Sequence, residues 1–225
     1  MQSLVTISEG NIPKILEAFA SINRSFQRIE RYASEDFRST KSILDVLNDL
    51  DIDLILSDTA KEKLRNIISE LQYVDILQQR LSHVVRINDL LRADLAVLNK
   101  NSGNSIIAYR AFVKLNLRQF QDAIDVYLHT TDAVHSSLTE ISKNHKMLFL
   151  HIPETKLLYR HNPEILKEST AVRYIYEYQL LKYEQVGNSP LVDHVPHVKR
   201  IATFYTMEQE RLILDDFLRC ELNYE

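Results

Sequence analysis

Along the first 146 residues, apolar side chains recur at alternating steps of three and four, the spacing that lines up one face of an α-helix. In the first segment they are Ile12, Ile15, Phe19, Ile22, Phe26, Ile29 and Ala33, then Ile43, Leu47 and Leu50. Asn11 is a candidate N-cap, and Pro13 fits a first turn, where its missing N–H is not needed. Between Ala33 and Ile43 the stripe is interrupted by Asp36 and Thr40, which marks a place for a kink or break.

A second helix opens at Asp58 or Thr59, and Thr59 to Glu62 match a capping box. Its stripe runs Leu64, Ile67, Leu71, Val74, Gln78, Leu81, Val85, Asn88 and Leu95. The polar Gln78 and Asn88 inside it suit a register-setting role at a cost in stability. NKNSGNS, residues 99–105, supplies the turn to a third helix capped by Asn104 or Ser105. That helix has the cleanest stripe: Val113, Leu117, Phe120, Ile124, Tyr127, Thr131, Val134, Leu138 and Ile141.

Helices of roughly 40 residues are about 60 Å long and bury their stripes only side by side. The predicted fold is therefore all-α: a long antiparallel helical hairpin or bundle, completed as a four-helix-type bundle by a second copy. A first domain, 1–146, holds the long helices. A second, 147–225, holds loops, shorter helices and a terminal amphipathic helix. Within it, 147–168 carries Pro153 and Pro163 and no sustained period. In 170–186 the alternating Tyr174, Tyr176 and Tyr178 would suit a strand, but Leu180, Leu181 and the Glu and Lys content favour a helix. Residues 187–198 read as a linker and about 200–219 as the last helix, with Tyr205, Leu212, Ile213 and Phe217 on its apolar face.

Composition sharpens this picture by exclusion. Three glycines and five prolines argue against a turn-rich β architecture. A net charge of −4 without a basic block shows no nucleic-acid footprint. No run approaches the ~20 apolar residues of a membrane span, so no insertion is expected. The opening MQSLVTISEGN lacks a secretory pattern, and the single Cys220, read as a small packing residue, fits a reducing, cytoplasmic location. His194 and His197 sit beside prolines without partnering carboxylates at helical spacing, so no metal is expected. Neither a Gly-x-Ser-x-Gly elbow nor a P-loop occurs. The tyrosines at 174, 176, 178 and 183 are read as packing.

One stretch is different. LQYVDILQQRLSHV, residues 71–84, crowds an aspartate, two glutamines and a histidine into an apolar helical run. Asp75 and Gln79, four apart, stack on one face of a helix. The Asp-x-x-x-Gln pattern occurs once, and about 0.7 matches are expected by chance at this composition, so spacing alone assigns nothing.

The stretch resembles the catalytic helix of the CheZ class of chemotaxis response-regulator phosphatases, where an Asp-x-x-x-Gln pair follows an aromatic and apolar run. It is also similar to the Leu-Gln-aromatic-x-Asp-x-x-x-Gln-x-Leu-x-His-Val segment of related helical proteins encoded with bacterial chemotaxis systems. FVKLNLRQFQDAIDVYL, with SLTEI downstream, resembles the following helix of those relatives, and YTMEQER, residues 205–211, their Tyr-Thr-Met-x-x-Glu-Arg signature. The resemblance covers about half the chain in three ordered places, while residues 147–200 depart from it. The Glu-x-x-Asn signature of the unrelated CheC and CheX phosphatases is absent.

The resemblance implies a homodimer that docks a phosphorylated receiver domain and speeds hydrolysis of its aspartyl phosphate. Gln79 and Asp75 are then the catalytic pair, with Gln72, His83, Tyr205, Met207 and Arg211 contacting the partner. The chain needs no cofactor of its own, the Mg²⁺ being the receiver's. Two other readings fit the residues: a non-enzymatic helical adaptor for the same machinery, and a histidine phosphotransfer protein using His83 with Arg86 nearby. Ile87 stands where such proteins usually carry a small glycine.

Overall fold

A computed structural model describes residues 12–48, 56–97, 103–150, 160–184 and 202–222, and among these every regular element is helical. The helices are α1 (Ile12–Asn48), α2 (Asp58–Glu70), α3 (Tyr73–Val97), α4 (Gly103–Asn144), α5 (Asn162–Glu184) and α6 (Glu208–Leu222). Short 3₁₀ turns span Lys146–Phe149 and Ala202–Phe204. The candidate cap Asn11, the seam residue Leu50, the linker 187–198 and His194 and His197 lie outside the described residues.

The long stripes form the core. All nine stripe positions of α4, from Val113 to Ile141, are buried, as are Phe19, Ile22, Phe26, Ile29, Ala33, Ile43 and Leu47 of α1. Four boundaries differ from the expected ones. First, α1 runs unbroken through Asp36. The carboxylate does not interrupt the helix because the fold supplies donors: Tyr127 Oη lies 3.1 Å from Oδ2, and the His161 N–H donates to Oδ1 at 3.0 Å.

Second, the expected second helix is two. Its cap is Ser57, whose Oγ accepts from the Ala60 N–H at 3.4 Å, rather than the Thr59–Glu62 box. It then ends at Glu70, and a two-residue turn at Leu71 and Gln72 leads into α3. On a continuous helix that keeps Ile67 and Val74 inside, Tyr73 would point about 120° away. The turn re-phases the chain so that both Tyr73 and Val74 are buried, with the Tyr73 ring 5.5 Å from that of Tyr127. The buried line of α3 is accordingly Leu77, Leu81, Val84, Ile87, Asn88 and Leu91. Leu71, Gln78 and Val85 are only half-buried.

Third, α4 begins at Gly103, inside the segment expected to be the turn. Fourth, α6 begins at Glu208, later than expected. In the C-terminal region 170–186, the helix expectation holds through Glu184, within α5. Its tyrosines do not pack as a set: Tyr176 is fully buried, whereas Tyr174 and Tyr178 are exposed. Leu212 and Cys220 of α6 are exposed too, so Cys220 is not the packing residue expected. No described helix is long and apolar enough to cross a membrane.

The chain forms two compact units that draw on different stretches of the same helices. One comprises 1–27, 79–123 and 168–225. Here apolar residues of α1, α3 and α4 are joined in the core by Val172 and Tyr176 of α5 and by Ile213, Phe217 and Leu218 of α6. The chain thus covers these stripes with its own later helices.

The other unit comprises 28–78 and 124–167. Its core surrounds Asp36. His161, at the entrance of α5, is fixed by its N–H on Asp36, by Glu35 at 3.0 Å from Nε2, and by stacking on Tyr32. Asn162 follows with its amide 3.0 Å from Asp132 Oδ1. Burial raises Asp36 above the usual carboxylate range, aided by the nearby Glu164 charge and opposed by the His161 and Tyr127 hydrogen bonds. Burial likewise pushes Tyr73 up to about 12.

A carboxyl that keeps its proton to higher pH in the fold than in the unfolded chain stabilises least once ionised. The contribution of Asp36 therefore falls as pH rises from the ordinary carboxylate range through the raised value. Asp36→Asn keeps an acceptor for the His161 N–H without the buried charge. Urea titrations between about pH 4 and pH 8 should show wild type losing ground to this variant as pH rises. A wild type that gains on it would contradict the assignment.

Candidate functional site on the third helix

The stretch 71–84 begins at the two-residue turn and continues as the first half of α3, and the fold sorts its polar side chains into two groups. The inward group meets specific partners. Gln78 Nε2 donates to Ser34 Oγ at 3.0 Å. Arg80 is 2 % exposed; its guanidinium donates to Asp122 Oδ2 at 2.8 Å and to the Gln119 carbonyl at 3.3 Å. His83 places Nδ1 2.8 Å from Oε1 and 2.9 Å from Oε2 of Glu210, a carboxylate with no solvent exposure. A carboxylate only accepts, so Nδ1 carries the hydrogen in this pair.

The outward group is Gln72, Asp75, Gln79 and Ser82, all exposed. The Ser82 hydroxyl bonds the Gln79 carbonyl at 2.7 Å, within its own helix. The side chains of Gln72, Asp75 and Gln79 make no hydrogen bond or ion pair among the described residues. Asp75 also sits in the first turn of α3, where a negative charge faces the positive end of the helix dipole.

Glu210 explains the YTMEQER segment. It is the third residue of α6, and its Oε2 accepts the Met207 N–H at 3.1 Å, the return half of a capping box. The Gln119 side-chain amide donates to the Glu210 carbonyl at 2.7 Å. Tyr205 is 2 % exposed and donates its hydroxyl to Asn116 Oδ1. Asn116 in turn donates to Asn88 Oδ1 at 2.9 Å, which also accepts from the fully buried Tyr176 at 2.9 Å. Burial raises both tyrosines above the ordinary phenol range, so they stay neutral donors. Arg86 lies over the Phe204 ring at 4.2 Å. At the surface, Arg118 pairs with Asp216 and Lys114 with Glu221.

The residues expected to contact a partner therefore lie in different settings. Gln72 and Arg211 are exposed, Met207 is half-buried, His83 is turned onto Glu210 with its side chain 14 % exposed, and Tyr205 is buried in the network. Sequence reasoning missed Arg80, Glu210, Asn116, Gln119 and Tyr176 as members of one polar core. A signal was present for Arg80, an arginine flanked by Leu77, Leu81 and Val84 on the inward side of its helix. Glu210 falls within the quoted signature, but nothing local pairs it with a histidine 127 positions earlier.

Among the described residues, no three His, Cys, Asp or Glu side chains are placed to hold a metal ion. Comparison of the chain with family models, with curated proteins and with solved structures gave no match.

Tyr205→Phe tests the network. It leaves Asn116 Oδ1 buried without its donor, which should lower unfolding free energy by about 1–3 kcal/mol in urea melts. An unchanged midpoint would show that the hydroxyl is not used.

Proposed function

We propose that the protein docks a phosphorylated response-regulator receiver domain and speeds hydrolysis of its aspartyl phosphate. Gln79 orients the attacking water, and Asp75 pairs with the receiver's active-site lysine. The observation that supports this reading is what the fold leaves unused. Gln78, Arg80 and His83 are engaged inside the chain, whereas Asp75 and Gln79 are exposed on α3 without side-chain partners among the described residues.

Hydrolysis requires water to attack phosphorus as the bond to the aspartyl oxygen breaks, giving inorganic phosphate and a free carboxylate. The receiver's own Mg²⁺ supplies charge neutralisation at the phosphoryl oxygens, so this chain contributes positioning and no cofactor. An amide suits that role, because its oxygen accepts a hydrogen bond from the water while its N–H donates to a phosphoryl oxygen.

We further propose that the working form is a homodimer. On the outer side of α5, Tyr174, Tyr178 and Leu181 recur at helical spacing and are 61 %, 59 % and 61 % exposed. Light scattering should give twice the chain mass, and Tyr174→Glu with Leu181→Glu should return it to the monomer mass. A monomeric wild type at micromolar concentration would rule the dimer out.

The catalytic assignment is tested by Gln79→Ala. Because the side chain is exposed, stability should stay within about 0.5 kcal/mol of wild type. Stimulated phosphate release should fall by about 100-fold or more, since the group lost acts in the transition state. Receiver binding by wild type with no stimulated hydrolysis would leave a non-enzymatic adaptor. A Gln79→Ala protein as active as wild type would remove the mechanism.

A further inference from the structure

We infer that α6 is a positioning element for Gln79, acting through Glu210 on His83 and through Gln119 on Arg80. The inference rests on the reading of Gln79 as the water-orienting residue. Arg80 and His83 follow Gln79 by one and four positions on α3, so the residues that flank it along the chain and one turn on are both held by directional contacts. Arg80 is fixed by Asp122 and by the carbonyl of Gln119. The same Gln119 holds the Glu210 carbonyl with its amide, and Glu210 holds His83. The circuit closes through α3, α4 and α6, and it is deeply buried: Arg80 is 2 %, Gln119 1 % and Glu210 0 % exposed.

Apolar contacts at Leu81 and Val84 resist separation of the helices but discriminate weakly against a small rotation of α3 about its axis. The hydrogen bonds of His83 and the Arg80–Asp122 ion pair are sensitive to that rotation because their strength falls steeply with angle. A water-orienting amide needs its geometry held within roughly 0.5 Å and 10–20°, and an error of about 1 Å costs about 100-fold in rate. The circuit is therefore placed to set the rotation at which Gln79 leaves the helix. Its contact with Gln79 is indirect, so His83 and Glu210 are positioning residues.

The test measures phosphate release from a CheY-type receiver domain phosphorylated by acetyl phosphate, with full-length variants. His83→Leu removes the Nδ1 donor and should lower kcat at least about tenfold with KM within about twofold. His83→Asn sets an amide N–H near the place of Nδ1 and should keep kcat within about threefold of wild type. Should His83→Leu fail to fold, His83→Leu with Glu210→Leu replaces the buried pair by apolar groups, a change such sites tolerate. The folded double variant should show the same loss of kcat. Wild-type kcat in a folded His83→Leu or double-leucine protein, while Gln79→Ala is inactive, overturns the positioning role alone. Full activity of Gln79→Ala, or no stimulation by wild type, overturns the water-orienting reading and this inference with it.

Discussion

A carboxylate without solvent exposure in the interior of a helical unit sets the terms for everything around it. Glu210 must be matched by donors, and the fold provides the His83 imidazole and the Met207 N–H. Taking a donor away from a buried carboxylate leaves it unsatisfied, which costs more than the loss of an exposed, solvent-screened pair such as Arg118–Asp216 or Lys114–Glu221. The surface pairs are more numerous, but Glu210 ties the first turn of α6 to α3 inside the unit. With α6 held, Ile213, Phe217 and Leu218 are buried, and Tyr205 reaches Asn116.

The second unit solves the same problem with other donors. Asp36 is buried in α1 and accepts from a tyrosine hydroxyl and a backbone N–H at the entrance of α5. Each unit thus places a charged or amide group where a heptad stripe would carry leucine, and satisfies it from an element distant in sequence. Such groups lower stability relative to a fully apolar core but admit one register and one rotation, because a slipped helix leaves them unpaired.

These partnerships explain what was legible from the sequence. The stripe of α4 and the inner face of α1 were readable because periodicity reports local geometry, and both helices are long enough for it to dominate. Asn88 was readable as a polar seam residue, but its partners Asn116 and Tyr176 were not. The break at Leu71 and Gln72 was hidden because the apolar spacing continues across it; only the burial of the Tyr73 ring against Tyr127 forces the change of phase. Asp36 suggested an interruption of α1 because its donors lie 91 and 125 positions away. At the candidate site, Asp75 and Gln79 were singled out from the sequence, whereas the division of their neighbours into engaged and unengaged side chains required the fold.

That division links the architecture to the proposed chemistry. A helix clamped from inside by Arg80 and His83 can present an outward amide with little freedom, and the conformational entropy of arranging it is then met during folding rather than at the reaction. The most direct measurement is the rate of phosphate release from a panel of phosphorylated receiver domains, each with and without this protein. The account predicts that at least one receiver loses its phosphate faster, in proportion to the amount of protein added at substoichiometric levels. Equal rates with and without it for every receiver, including any that it binds, would contradict the account.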